Sequence, residues 1–166
     1  MYRVYLGLGS NLGNRLQFLT RAMKEIKNIA RIDSVSSIYE TQPVGMESGK
    51  MFYNMAVGIE TADAPDILLR KIKFIETSLG RDQNKNLQDR QIDIDILLYE
   101  GLVVQNETLN VPHVNMTSRR FVLAPLHEIA PDIIHPVSGK TIGELLRQCR
   151  DNNKAERITQ TLNLTI

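Results

Sequence analysis

Residues 90–99, Arg-Gln-Ile-Asp-Ile-Asp-Ile-Leu-Leu-Tyr, alternate with a period of two and so call for a β-strand. Side chains two apart on a strand share a face, about 7 Å from each other. Ile92, Ile94, Ile96 and Leu98 then make one apolar face, and Asp93 and Asp95 project from the other. The apolar face needs a core. The acidic face sets like charges side by side in a residue type that strands disfavour. A bound cation would answer that arrangement, and so would a solvated edge strand.

The surrounding pattern supplies partners for this strand. Residues 2–8 read as a strand ending at Gly7 and Gly9, and Asn14 can cap a helix carrying Leu16, Leu19, Met23, Ile26 and Ala30. Strands are expected at Val35–Thr41 and Asn54–Thr61. A second helix starts near Asp63 and Pro65 and stops before Gly80, which suits the residue just past a helix end. A hairpin through Glu100-Gly101 to 102–105 would follow the Asp strand. The order is β-α-β-β-α-β, an α+β fold with a ferredoxin-like core: an antiparallel sheet, helices on one face, and the other face available for a site. Beyond Val111-Pro112 a C-terminal hairpin and helical appendage is expected, with a helical piece near 125–130. A further helix at 142–150 opens on the capping-box pattern Thr141-x-x-Glu144. At 166 residues, one domain over 1–166 accounts for the chain.

Composition narrows the function. A net charge of +1 and 5% aromatic residues argue against a nucleic-acid partner. The one cysteine, Cys149, excludes an internal disulfide and a cysteine-based zinc site. No apolar run would span a bilayer, and the first residues lack the apolar stretch of a signal peptide, so a cytoplasmic location without membrane contact is expected.

Phosphate chemistry is the best use of the remaining signals. The P-loop pattern is absent, and in Gly7-Leu-Gly9-Ser-Asn-Leu-Gly13 the last glycine stands one residue late for a dinucleotide fingerprint. These glycines read as the turn from strand into helix. Arg81 and Arg90 precede the acidic pair, and Arg119 and Arg120 follow it, which suits a metal–polyphosphate site. His113 lies close to this cluster. His127 and His135 read as turn residues with structural roles. Glu76 reads as an exposed helix charge, and Phe52, Asn54 and Phe121 as core or as contacts for a flat heterocycle. Loops 42–52 and 81–91 are long enough to be lids or plain connections. A two-metal nucleotidyltransferase on the same palm is the nearest rival to a phosphotransferase reading.

Taken together, Gly-Ser-Asn-Leu at 9–12, Tyr-x-Thr-x-Pro-x-Gly at 39–45, Tyr-Asn-x-Ala-Val at 53–57, Arg-x-Ile-Asp-Ile-Asp-Ile at 90–96, Val-Pro-His at 111–113 and Arg-x-Phe-Val-Leu-x-Pro-Leu at 119–126 resemble the 6-hydroxymethyl-7,8-dihydropterin pyrophosphokinase family. The resemblance runs over about residues 2–137. It implies transfer of pyrophosphate from MgATP to the pterin hydroxymethyl group, with AMP leaving, in folate biosynthesis. It implies two Mg²⁺ ions on Asp93 and Asp95, with Arg81 and Arg90 beside them in catalysis. Glu76, Arg81, Arg90, Ile96, His113 and Arg119 match ATP-binding positions. Thr41, Pro43, Val44, Gly45, Phe52, Asn54 and Phe121 match the pterin pocket. No obligate protein partner is implied, and a monomer is expected. Where many members carry Trp-Gly-Pro-Arg, this chain has Leu87-Gln-Asp-Arg90.

Overall fold

A computed structural model describes residues 1–84 and 88–162. Leu87, the residue standing in for the family tryptophan, lies outside them. The main sheet runs in the order β5-β1-β4-β3-β8, with β2 also on β4, and every pairing is antiparallel. Its strands are β1 (Tyr2–Ser10), β2 (Arg31–Val35), β3 (Tyr39–Thr41), β4 (Phe52–Thr61), β5 (Asp93–Tyr99) and β8 (Ala155–Arg157). The expected second strand is thus two short ones on the same partner, separated at residues 36–38. The Ser36 hydroxyl turns back to accept from Ala56 N–H at 2.8 Å in that gap.

Helices α1 (Arg15–Ile29) and α2 (Pro65–Ser78) share one face of the sheet. Leu19, Met23 and Ile26 of α1 and Leu68, Ile72 and Ile75 of α2 meet Val4, Leu6 and Leu8 of β1 there. The caps are those the residue types favour: Asn14 accepts from Gln17 N–H at 3.0 Å, Pro65 opens α2, and Gly80 takes φ 97° just past its end. β1 continues through Gly7 and Gly9 to Ser10, so these glycines are strand residues, and the turn into α1 is made at Gly13, φ 71°.

The appendage packs on the opposite face. Helix α3 (Arg120–Ile129) is longer than expected and contains His127, which is therefore a helix residue. With α4 (Ile142–Gln148) it covers Tyr5, Ala56, Leu97 and Leu98 in a second core. Thr141 and Glu144 form the capping box on α4. The hairpin after the Asp strand is not made with β5. β6 (Val104–Gln105) pairs instead with β7 (Asn110–Val111) as a separate two-stranded sheet. The Asn106 side chain is the reason, accepting from Thr108 and Leu109 N–H at 2.9 and 2.8 Å to build the turn. Among the described residues no helix is long and apolar enough to cross a membrane.

Register places the acidic pair. Asp93 and Asp95 lie opposite Gly9 and Gly7 of β1. The pairing then slips by one residue at Leu97, a bulge on β5. Ile92, Ile94 and Ile96 enter the helix-side core as expected, but after the bulge Leu98 faces the second core and Tyr99 returns to the first. Leu98 therefore does not share a face with the isoleucines.

Candidate active site

A cleft opens on the α3 side of the sheet, where the second core stops short of the ends of β1, β4 and β5. It is lined by Gly7 and Gly9 of β1, Phe52 and Asn54 of β4, Asp93, Asp95 and Leu97 of β5, and Arg119, Phe121 and Val122 at the start of α3. Thr41, Gln42, Val44 and Met46 close one side, and Arg90 borders the acidic end. Nine of the expected site residues therefore converge: Thr41, Val44, Phe52, Asn54, Arg90, Asp93, Asp95, Arg119 and Phe121.

The floor is bare backbone. A side-chain carbon on Gly9 would stand 2.7 Å from Asn54 Oδ1, so only glycine leaves that amide in place. Asn54 is buried and donates through Nδ2 to Thr41 Oγ1 at 2.5 Å, which orients its Oδ1 toward the floor. Phe121 stands across the cleft with the Arg119 guanidinium 5.7 Å from its ring centroid. Apolar planes facing a fixed amide suit a flat heterocycle with polar edges.

At the other end the charges are arranged in depth. Glu76, read from sequence as an exposed charge, is fully buried. Its Oε1 accepts from Arg81 Nη1 at 2.7 Å and from Ile94 N–H at 2.6 Å, between the two aspartates of β5. Its Oε2 takes Lys73 Nζ at 2.9 Å. Arg81 also donates to Asp93, and Arg90 Nη2 lies 2.9 Å from Asp93 Oδ2. Burial works to raise the Asp93 pKa, but Arg90 and Arg81 outweigh it and hold the carboxylate below its ordinary range. Burial and then the Asp93 charge push Asp95 up to about 7. His113 stands 3.9 Å from Asp95, and burial lowers its pKa, keeping the imidazole neutral at pH 7.

Other expected residues lie around the cleft without lining it. Arg81 and Glu76 support Asp93 from behind, and His113 is held at the rim by its N–H bond to Leu97 O at 2.9 Å. The Ile96 side chain points into the helix-side core. Pro43 and Gly45 belong to the loop that brings Val44 in, with φ 74° at Gly45 making its turn. Gly7, Gly9 and Leu97 escaped the sequence reading, because a glycine inside a strand is informative only once its register is known.

Can these groups hold a divalent cation on a polyphosphate? Among the described residues the Nε atoms of Arg81 and Arg90 are buried and find no hydrogen-bond partner, beside a carboxylate pair of which one member is short of positive charge. Donors left over at that spot suit phosphate oxygens. Among the described residues no group of three or more His, Cys, Asp or Glu could enclose a metal. Two carboxylates with the rest of the shell left to phosphate and water is a usual setting for Mg²⁺. The residues fit the ion.

Comparison with known proteins agrees. The model of the 7,8-dihydro-6-hydroxymethylpterin-pyrophosphokinase family matches residues 5–131. The 2-amino-4-hydroxy-6-hydroxymethyldihydropteridine pyrophosphokinase of Methylorubrum extorquens is 40% identical over 160 residues, 95% of this chain and 99% of its own. That of Aquifex aeolicus is 39% identical over 87% of this chain and 90% of its own. In fold, the chain resembles the Plasmodium falciparum HPPK-DHPS with pteroate, TM-score 0.75 at 18% identity, over 93% of this chain and 47% of that one. It thus spans under half of that solved protein. On the family match and these relatives, the chain belongs to the 7,8-dihydro-6-hydroxymethylpterin-pyrophosphokinase family.

Proposed function

We propose that residues 1–166 act as one cytoplasmic, monomeric pyrophosphokinase domain that uses Asp93 and Asp95 to hold two Mg²⁺ ions on ATP. The chain is an ATP-dependent pterin pyrophosphokinase of folate biosynthesis. The hydroxymethyl oxygen of 6-hydroxymethyl-7,8-dihydropterin bonds to the β-phosphorus, the bond from that phosphorus to the AMP oxygen breaks, and the hydroxyl proton is lost. Bound Mg²⁺ supplies charge neutralisation of the phosphates. The chain's own residues position and exclude. Arg81 and Arg90 donate to the transferring group, and Glu76 keeps Arg81 aimed. Arg119 and His113 border the nucleotide, while Ile96 contributes backbone only. Thr41 and Asn54 read the polar edge of the pterin between Phe52 and Phe121, with Pro43, Val44 and Gly45 as its outer wall.

The observation that carries this reading is the pair of guanidinium Nε donors without a partner among the described residues, beside two unequal carboxylates at the end of a glycine-floored aromatic cleft. In-line transfer needs alignment and charge more than a covalent intermediate. Incubation with MgATP and the pterin alcohol should release AMP and a diphosphorylated pterin. Release of free pyrophosphate would instead indicate attack at the α-phosphorus, as in a nucleotidyltransferase.

A further inference from the structure

Two loops meet beside the acidic end of the cleft, and one residue ties them. The first joins β3 to β4 and carries Ser48 and Lys50. The second joins α2 to β5 and carries Asp89 and Arg90. The Asp89 carboxylate accepts from Ser48 Oγ at 2.6 Å and faces Lys50 Nζ at 3.3 Å. Ser48 Oγ in turn accepts from Lys50 N–H at 3.1 Å. Asn11, buried at the end of β1, donates to the same carboxylate at 2.8 Å and to Lys50 O at 3.3 Å. It also grips the backbone of Arg90 from both sides, accepting from Arg90 N–H at 2.8 Å and donating its own N–H to Arg90 O at 3.1 Å. The Arg90 guanidinium is thereby set between Asp93 and the Phe52 ring, 5.2 Å from the ring centroid.

We propose that Asp89, anchored on Asn11, is a positioning residue that latches the 42–51 loop to the segment before β5 and so fixes Arg90 against both the acidic pair and the aromatic wall. The inference rests on the function proposed above. Its content lies in the carboxylate itself: an apolar side chain at this place could accept none of these bonds. Charge-assisted bonds from three donors outweigh a single neutral contact, and the low pKa of Asp89, which those donors hold down, keeps the carboxylate ionised. The consequence is coupling. Loosening one loop releases the other, and the heterocycle side of the site then depends on a residue from the phosphate side.

The test compares Asp89→Ala, Asp89→Asn, Ser48→Ala and the Asp89→Ala/Ser48→Ala pair with the unmodified protein. Amide hydrogen exchange across residues 42–51, without substrates, should quicken about tenfold in Asp89→Ala although the substitution is in the other loop. In AMP-release kinetics the pterin KM should rise about tenfold with a smaller fall in kcat, and the second substitution should add little to the first. Asp89→Asn, which keeps an acceptor and loses the charge, should fall between. Unchanged exchange at 42–51, or additive losses in the pair, would overturn the latch. Should Asp89→Ala not fold, Ser48→Ala reads the same coupling from the other side. If the unmodified protein releases no AMP, the proposed function fails, while the exchange measurement still decides the latch.

Discussion

Asp93 and Asp95 stand two residues apart on one face of β5 and meet opposite surroundings: Asp93 holds the guanidiniums of Arg81 and Arg90, while Asp95 faces a neutral imidazole 3.9 Å away. One carboxylate is already neutralised by the protein. The other has a deficit of positive charge that a bound cation would fill.

This inequality separates two substitutions that sequence alone would treat alike. Asp93→Ala and Asp95→Asn should each lower turnover by about 10²–10³-fold, the usual cost of removing one charge-stabilising group. Their effects on stability should diverge. Asp93→Ala strips Arg81 and Arg90 of a partner and should cost about 1–3 kcal/mol in denaturant unfolding. Asp95→Asn removes a repelling neighbour and should leave stability unchanged or raised. Equal destabilisation by both would contradict the asymmetry.

Glu76 is the residue whose loss should be felt furthest from its own position. Glu76→Ala removes the acceptor for Arg81 and for Ile94 N–H inside a fully buried site. Arg81 keeps Asp93, but the buried Ile94 N–H is left without its acceptor, which costs about 1–3 kcal/mol. Chemical denaturation should show a loss of that order, and kcat should fall with it because Arg81 loses its aim. A variant as stable as the parent would mean that Asp93 alone suffices for Arg81 and that Ile94 N–H finds another acceptor.

At the floor of the cleft, Gly9→Ala places a methyl 2.7 Å from Asn54 Oδ1. Asn54 must then turn away from the cleft. The pterin KM should rise at least about tenfold while the KM for MgATP stays near its parent value, as expected where one ligand's polar contacts are lost. Steady-state kinetics varying each substrate separately distinguishes this from general damage.

Acid stability should carry the signature of Glu128, on the solvent side of α3. Burial raises its pKa, but Tyr39 and Ser37 hydrogen bonds bring it below its ordinary value of 4.5. A depressed carboxylate contributes stability that is complete above the unfolded value and is lost as pH falls through the folded one. Glu128→Gln should therefore melt lower than the parent at pH 7, and the gap should shrink progressively as pH falls below 4.5. The group is exposed, so the difference should stay within about 1 kcal/mol. A gap that persists undiminished at pH 3 would assign the contact to something other than the charge.

How legible was this in the chain itself? The period-two run at 90–99 announces its strand and acidic pair, and the caps at Asn14, Pro65, Gly80 and Thr141 announce the helices they border. These are local signals read from neighbours in sequence. What stayed hidden depends on distance. Glu76 is a helix charge until the fold lays β5 across it, and Asn11 and Asp89 are 78 residues apart. The bulge at Leu97 leaves only two consecutive leucines as its trace, and a run of apolar residues does not say where a register slips. The hairpin went to β7 rather than β5 because a single Asn106 side chain organised a nearer turn.

The slipped residue on β5 also divides the strand into two regimes of tolerance. Before Leu97, the cleft-side positions carry charge, and a change there alters what the protein does while the sheet stands. After it, the same side of the strand faces Tyr5 and α3 through Leu98, so a change alters whether the C-terminal helices stay seated at all. A survey of substitutions at the cleft-side positions of this strand should therefore switch character at one step, from inactive but folded to unfolded.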